Sequence, residues 1–175
     1  RARYASPASL GQAFNFDLLT APWDAERWRT VIAENLDLAA ESGSSSTWVL
    51  SNHDVVRHPT RYGISAPAGQ PNAIGYIPGF GVDPEITVDR TLGSARARAA
   101  TLLMLALPGS AYLYQGEELG LFEVTEIDAA SRQDPTFFRT GGTRLGRDGC
   151  RVPLPWTSEP PSYGFSPDGA TAPPH

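Results

Sequence analysis

Thr47-Trp48-Val49-Leu50-Ser51-Asn52-His53-Asp54 sets the architecture of the chain. A short, nearly continuous apolar run gives way to four polar residues. Such a run suits a strand covered on both faces, as in a parallel sheet. Upstream, Asp24 has the position of a helix N-cap, and Trp23 and Trp28 are spaced as a hydrophobic staple. Trp28, Val31, Ile32, Leu36 and Ala39 then keep helical spacing on one face until Ser42-Gly43 ends the helix. Further upstream, Gly11 to Leu18 reads as a strand, with Phe14, Phe16 and Leu18 alternating after a turn at Ser6-Pro7.

Downstream of Asp54, residues 55–88 form a long connection rich in Gly and Pro, a length that usually carries function. Thr91 to Leu107 reads as a second helix closed by Pro108-Gly109, and Ala111 to Gln115 as a third strand. After Leu121 the pattern has no periodicity. Strand, helix, strand, helix, strand is the order of an α/β parallel arrangement with right-handed crossovers. Three strands cannot close a barrel, and a complete one takes about 250 residues. The 175 residues correspond to three-eighths of a barrel or to a small open sheet.

Composition narrows the chemistry. A net charge of −5 argues against nucleic acid as a partner. The longest apolar stretch, Ala99 to Leu107, is about half a membrane span. All 14 basic residues are arginine, which excludes Schiff-base lysines and a phosphate-loop lysine from this segment. The single cysteine, Cys150, excludes an internal disulfide, and no metal-ligand spacing is present. Neither a cofactor nor a metal is expected. The chain opens on Arg1 and its one methionine is Met104, so we expect a piece of a longer protein. No signal peptide is visible, and a cytoplasmic location is the default expectation.

Asn52-His53-Asp54 is the leading candidate site, because ligands of parallel α/β folds meet the carboxyl ends of the strands. A carboxylate beside an imidazole can bind vicinal hydroxyls or stabilise developing positive charge. Arg57 and Arg61 follow closely enough to hold that carboxylate ionised. The competing reading is a strand cap and turn. Glu117-Glu118 reads as structural, His58 as a loop residue, and Cys150 as a small loop or core residue. Arg139, Arg144, Arg147 and Arg151 read as a solvated loop with ion pairs in preference to an anion site. No Gly-x-Ser-x-Gly elbow exists to support a serine triad.

Three motifs in sequence order, and a fourth segment upstream of them, resemble a known family. Ser51-Asn52-His53-Asp54 with Arg57 and Pro59-Thr60-Arg61-Tyr62-Gly63 resembles the fourth conserved region of glycoside hydrolase family 13. The likeness is to α-glucosidases and oligo-1,6-glucosidases. Residues 103–120 (LMLALPGSAYLYQGEELG) look like that family's seventh helix and eighth strand. Residues 132–156 (RQDPTFFRTGGTRLGRDGCRVPLPW) resemble the segment after the eighth strand in actinobacterial members, and Gly11 to Leu19 fits the sixth strand.

The resemblance implies a retaining glycosidase on a (β/α)₈ barrel, with α-glucoside oligosaccharides as substrate. Residues 1–122 would be the C-terminal portion of the catalytic barrel and 123–175 an irregular subdomain. Asp54 matches the third carboxylate of the family, a transition-state stabiliser. His53 matches an imidazole that binds the same sugar, and Arg61 an arginine near the mouth of the site. The family's nucleophile and acid/base lie on the fourth and fifth strands, which have no counterpart in this sequence. The segment alone is therefore expected to be inactive. Glucosyl-transferring or isomerising relatives, such as trehalose synthases and sucrose isomerases, share these motifs. A non-catalytic α/β ligand-binding domain is the alternative outside enzymology.

Overall fold

The computed structural model describes residues 11–64, 76–77, 81–82, 86–167 and 169. The expected turn at Ser6-Pro7 and the terminal His175 lie outside them. The first departure from expectation comes at once. Residues 12–15 join no strand, and Phe16–Leu19 form a one-turn helix, α1. Asn15 causes this, because its side-chain oxygen accepts the Asp17 N–H at 2.9 Å and turns the chain helical. Three alternating apolar residues were too few to outweigh that cap. The segment still runs beside the sheet, where the Thr47 hydroxyl donates to the Ala13 carbonyl at 2.7 Å.

Helix α2, Ala25–Ser42, forms as its caps dictate. The Asp24 carboxylate accepts the Arg27 N–H at 2.7 Å, and Gly43 closes the helix in the left-handed conformation. The Trp23 and Trp28 rings meet edge to face at 5.5 Å, the expected staple. Strand β1, Thr47–Val49, is buried at every position.

The next departure is helix α3, His58–Gly63, inside the segment expected to be a loop. All six of its residues are buried, and Pro59 sits in its first turn, where a missing N–H costs nothing. Gly- and Pro-rich composition obscured a helix only six residues long. Strand β2, Tyr76–Ile77, pairs antiparallel with β3, Gly81–Val82.

Helix α4, Arg90–Ala106, is capped by Asp89, whose carboxylate accepts the Leu92 N–H. Strand β4, Ser110–Tyr112, then pairs parallel with β1 in the register Thr47–Ser110, Trp48–Ala111, Val49–Tyr112. The parallel pairing with a helical crossover is the expected arrangement. Beyond it the described residues are irregular apart from the 3₁₀ turns Ala129–Ser131 and Asp148–Cys150 and the short helix α5, Pro135–Arg139.

The core lies between α2, β1, α3 and α4. Trp48, fully buried, packs there with Trp28, Val31, Leu50, Tyr62 and Met104, and its indole N–H donates to the Pro108 carbonyl at 2.9 Å. Helices α3 and α4 touch backbone to backbone at Gly93, where an added Cβ would lie 2.3 Å from the Pro59 carbonyl oxygen. Gly93→Ala is therefore expected to destabilise by about 2 kcal/mol. Thermal unfolding checks this, and an unchanged Tm would show that the two helices separate freely.

Candidate functional site

Everything that gathers at the carboxyl end of β1 depends on how the backbone leaves the strand. Asn52 uses its side-chain oxygen to accept the N–H groups of Asp54 and Val55 at 2.8 and 3.1 Å. That turn leaves His53 exposed and Asp54 half-buried, with the chain diving back into the core at Val55.

Two arginines from the far end of the chain converge on one oxygen of Asp54. Arg147 Nη1 donates to Asp54 Oδ1 at 2.8 Å, and Arg151 Nη2 donates to the same oxygen at 3.0 Å. Arg151 Nε also donates to the His53 carbonyl at 2.7 Å. The other carboxylate oxygen, Oδ2, lies 3.4 Å from His53 Nε2. The carboxylate is thus used asymmetrically. One oxygen is committed to guanidinium groups, and the other shares an exposed edge with an imidazole. Such an edge can accept a hydroxyl hydrogen at the carboxylate and exchange a second hydrogen bond at the ring.

These are not the arginines the sequence suggested. Arg57 and Arg61 are buried and turn away from Asp54. Arg57 donates from Nη1 to the Gln115 carbonyl at 2.8 Å and from Nη2 to the Cys150 carbonyl at 3.0 Å. Arg61, expected at the mouth of the site, instead donates from Nε to the Val56 carbonyl at 2.9 Å and from Nη2 to the Leu50 carbonyl. A helical turn separates 57 from 61, so both side chains follow α3 inward. The residues that do hold Asp54 were visible as Arg147 and Arg151. Their spacing of four around Gly149 was the available signal, and nothing in it pointed across 90 residues to Asp54.

Beneath the site, buried groups tie β1, α3 and the segment after β4 together. His58, expected in a loop, is buried at the start of α3. Its Nδ1 lies 2.9 Å from Ser51 Oγ and 3.5 Å from Glu117 Oε1, while Ser51 Oγ accepts the His58 backbone N–H. Burial lowers the His58 pKa and outweighs the raising effect of Glu117, so the ring is neutral at pH 7. Glu117 is buried beside it, and neither of its carboxylate oxygens has a hydrogen-bond partner among the described residues. Cys150 is buried, and burial, reinforced by Glu123, pushes its thiol up to about 12. It is inert packing, not a nucleophile.

Glu123 accepts the Arg57 backbone N–H at 3.0 Å, and burial raises its pKa to about 7 despite that bond and the nearby arginines. The unfolded chain releases this proton near 4.5, so between 4.5 and 7 the folded state binds more protons. Stability from this group therefore falls as pH rises through that window, by on the order of 3 kcal/mol. Glu123→Gln is expected to raise Tm at pH 8 and leave it nearly unchanged at pH 4.5. Equal shifts at both pH values would show that Glu123 ionises normally.

Among the described residues no group of three or more His, Cys, Asp or Glu could hold a metal ion, and no helix is long and apolar enough to cross a membrane.

Residues 85–172 match the family described as Alpha amylase, catalytic domain. A probable alpha-glucosidase of Rhizobium meliloti is 35% identical over 119 residues, covering 68% of this chain and 17% of that protein. Among solved structures, an alpha-glucosyl transfer enzyme is 36% identical with a TM-score of 0.65, covering 94% of this chain and 25% of its own. The trehalose-6-phosphate hydrolase of Bacillus licheniformis is 21% identical with a TM-score of 0.63 over 98% of this chain and 32% of its own, a likeness of fold. The chain spans about a sixth to a third of the length of these proteins.

Proposed function

The chain belongs to the alpha-amylase catalytic-domain family, glycoside hydrolase family 13, and on that footing we propose that it is part of a retaining α-glucosidase. The solved relatives are (β/α)₈-barrel enzymes, so the parallel pair β1–β4 with its crossover α4 is a segment of such a barrel. Residues 1–122 then end the barrel and 123–175 form the irregular subdomain after its last strand. The exposed Tyr112 at the end of β4, with Leu113 just after it, fits a strand whose neighbours lie elsewhere in the protein.

The observation that carries the reading is Asp54 at the strand's carboxyl end, anchored on one oxygen and open on the other. A retaining glycosidase needs a nucleophile and an acid about 5–5.5 Å apart across the scissile bond. Asp54 is neither. It binds sugar hydroxyls through Oδ2, alongside His53, and its charge favours the oxocarbenium-like state over the ground state. That is differential transition-state binding. In this reading the nucleophile and the acid/base stand on other strands of the complete barrel, and the 175 residues alone hydrolyse nothing. The substrates are α-glucoside oligosaccharides.

A second reading has one observation in its favour, the 36% identity to an alpha-glucosyl transfer enzyme. The same carboxylate geometry serves both outcomes, because water or a second hydroxyl can end the reaction. Incubating the full-length protein with maltose distinguishes them. Glucose as the sole product supports hydrolysis, whereas longer or rearranged glucosides support transfer. No conversion of any α-glucoside would overturn both.

A further inference from the structure

Asp134 has no part in the account above, yet its buried carboxylate accepts three hydrogen bonds. Its side chain is 1% exposed, whereas Arg147 is 32% and Asp54 45% exposed. Asp134 Oδ2 accepts from Arg147 Nε at 2.6 Å and from the Arg147 backbone N–H at 3.0 Å, and Oδ1 accepts the Thr136 N–H at 2.8 Å. The contact is reciprocal along the chain. Asp148 accepts the backbone N–H of Asp134 at 3.0 and 3.1 Å and that of Gln133 at 3.2 Å. Residues 133–134 and 147–148 are thus latched by two carboxylates, each reaching the other's backbone. Gly146 lets the two segments of this latch close, because a Cβ there would lie 2.9 Å from Cβ and Cγ of Asp134.

The latch has a directional consequence. A half-exposed ion pair such as Arg147–Asp54 is worth little alone, and a free arginine samples many rotamers. With Nε held on a buried carboxylate the guanidinium has fewer orientations open to it, and in the one observed Nη1 meets Asp54 Oδ1. Burial by itself would raise the Asp134 pKa, but the bonds from Arg147 and Thr136 outweigh it and hold the carboxyl well below the usual range. Asp134 is therefore charged wherever the site can work.

We propose that Asp134 is a positioning residue that acts through Arg147 to hold Asp54 with Oδ2 presented to the ligand. This rests on the reading of Asp54 as a sugar-binding carboxylate, and the experiment keeps the two apart. It uses the full-length protein with p-nitrophenyl α-D-glucopyranoside as probe.

Asp134→Asn is expected to lower kcat about a hundredfold and to change KM by less than about threefold. Arg147→Lys keeps the charge but cannot bridge Asp134 and Asp54 together, and is expected to cause a similar loss. The double variant should be no worse than either single one. Asp134→Asn that lowers Tm but retains full kcat well below Tm would reduce the latch to loop closure and overturn the proposal. Should Asp134→Asn not fold, Arg147→Lys with unchanged kcat does the same.

A second readout does not depend on turnover. The Arg147 Nε–H should give an exchange-protected ¹⁵N–¹H signal that Asp134→Asn abolishes, and its persistence would overturn the proposal. No turnover by the unsubstituted protein, with that signal behaving as expected, would sink the glucosidase reading and leave the latch standing.

Discussion

Asp54→Asn in the full-length protein is expected to lower kcat for an α-glucoside at least about a thousandfold, roughly 4 kcal/mol, with Tm nearly unchanged. The substitution is isosteric, so the amide oxygen can still accept from Arg147 Nη1 and Arg151 Nη2 at the Oδ1 position. The Asn52 turn uses the backbone of residue 54 and not its side chain, so the chain path is preserved. Two partly exposed ion pairs lose their charge, each worth about 1 kcal/mol or less, while both hydrogen bonds to the Oδ1 position remain. What disappears is the anionic acceptor at Oδ2, the oxygen proposed to meet the sugar beside His53. A loss below about tenfold, 1.4 kcal/mol, would mean that Asp54 does not act in the transition state.

Arg57→Met is expected to destabilise the protein by about 4 kcal/mol, the largest stability effect of any substitution considered for this chain. Methionine fills the space but donates nothing. The Gln115 carbonyl loses its Arg57 donor, and the Cys150 carbonyl keeps only the Tyr114 hydroxyl at 3.0 Å. Those two carbonyls belong to the segment after β4 and to the turn carrying Arg147 and Arg151. The variant should therefore lose activity as well as stability, since the arginines that hold Asp54 are no longer anchored from below. Denaturant unfolding measures the first effect. A change under about 1 kcal/mol would show that the segments are joined by other means.

The residues that announced the fold are those whose local chemistry and tertiary role agree. Asp24, the Trp23–Trp28 pair and Gly43 delimit α2 by short-range rules, and the structure obeys them. The apolar run at Thr47 became a fully buried parallel strand because its composition already required cover on both faces. Asn15 shows the opposite case, where one side-chain bond to the Asp17 N–H outweighed an alternating pattern. Helix α3 was hidden because six residues carry less than two turns of periodicity, and its stability comes from packing against α4 at Gly93.

The place of Asp54 and His53 at a strand's carboxyl end was legible in the sequence, but their partners were not. Arg147 and Arg151 reach Asp54 from 93 and 97 residues away, through a loop with no periodicity. Asp134 was silent for the same reason. Its N-cap contact with Thr136 is local, while its bond to Arg147 Nε exists only after the loop has closed. The nearby arginines, 57 and 61, misled because proximity in sequence says nothing about which way a helix turns its side chains.

The most direct measurement is the anomeric form of the glucose released when the full-length protein acts on p-nitrophenyl α-D-glucopyranoside, followed by ¹H NMR before mutarotation. α-Glucose appearing first is the predicted result, as a double displacement at a carboxylate nucleophile requires. β-Glucose appearing first would contradict the retaining mechanism and the role assigned to Asp54 within it.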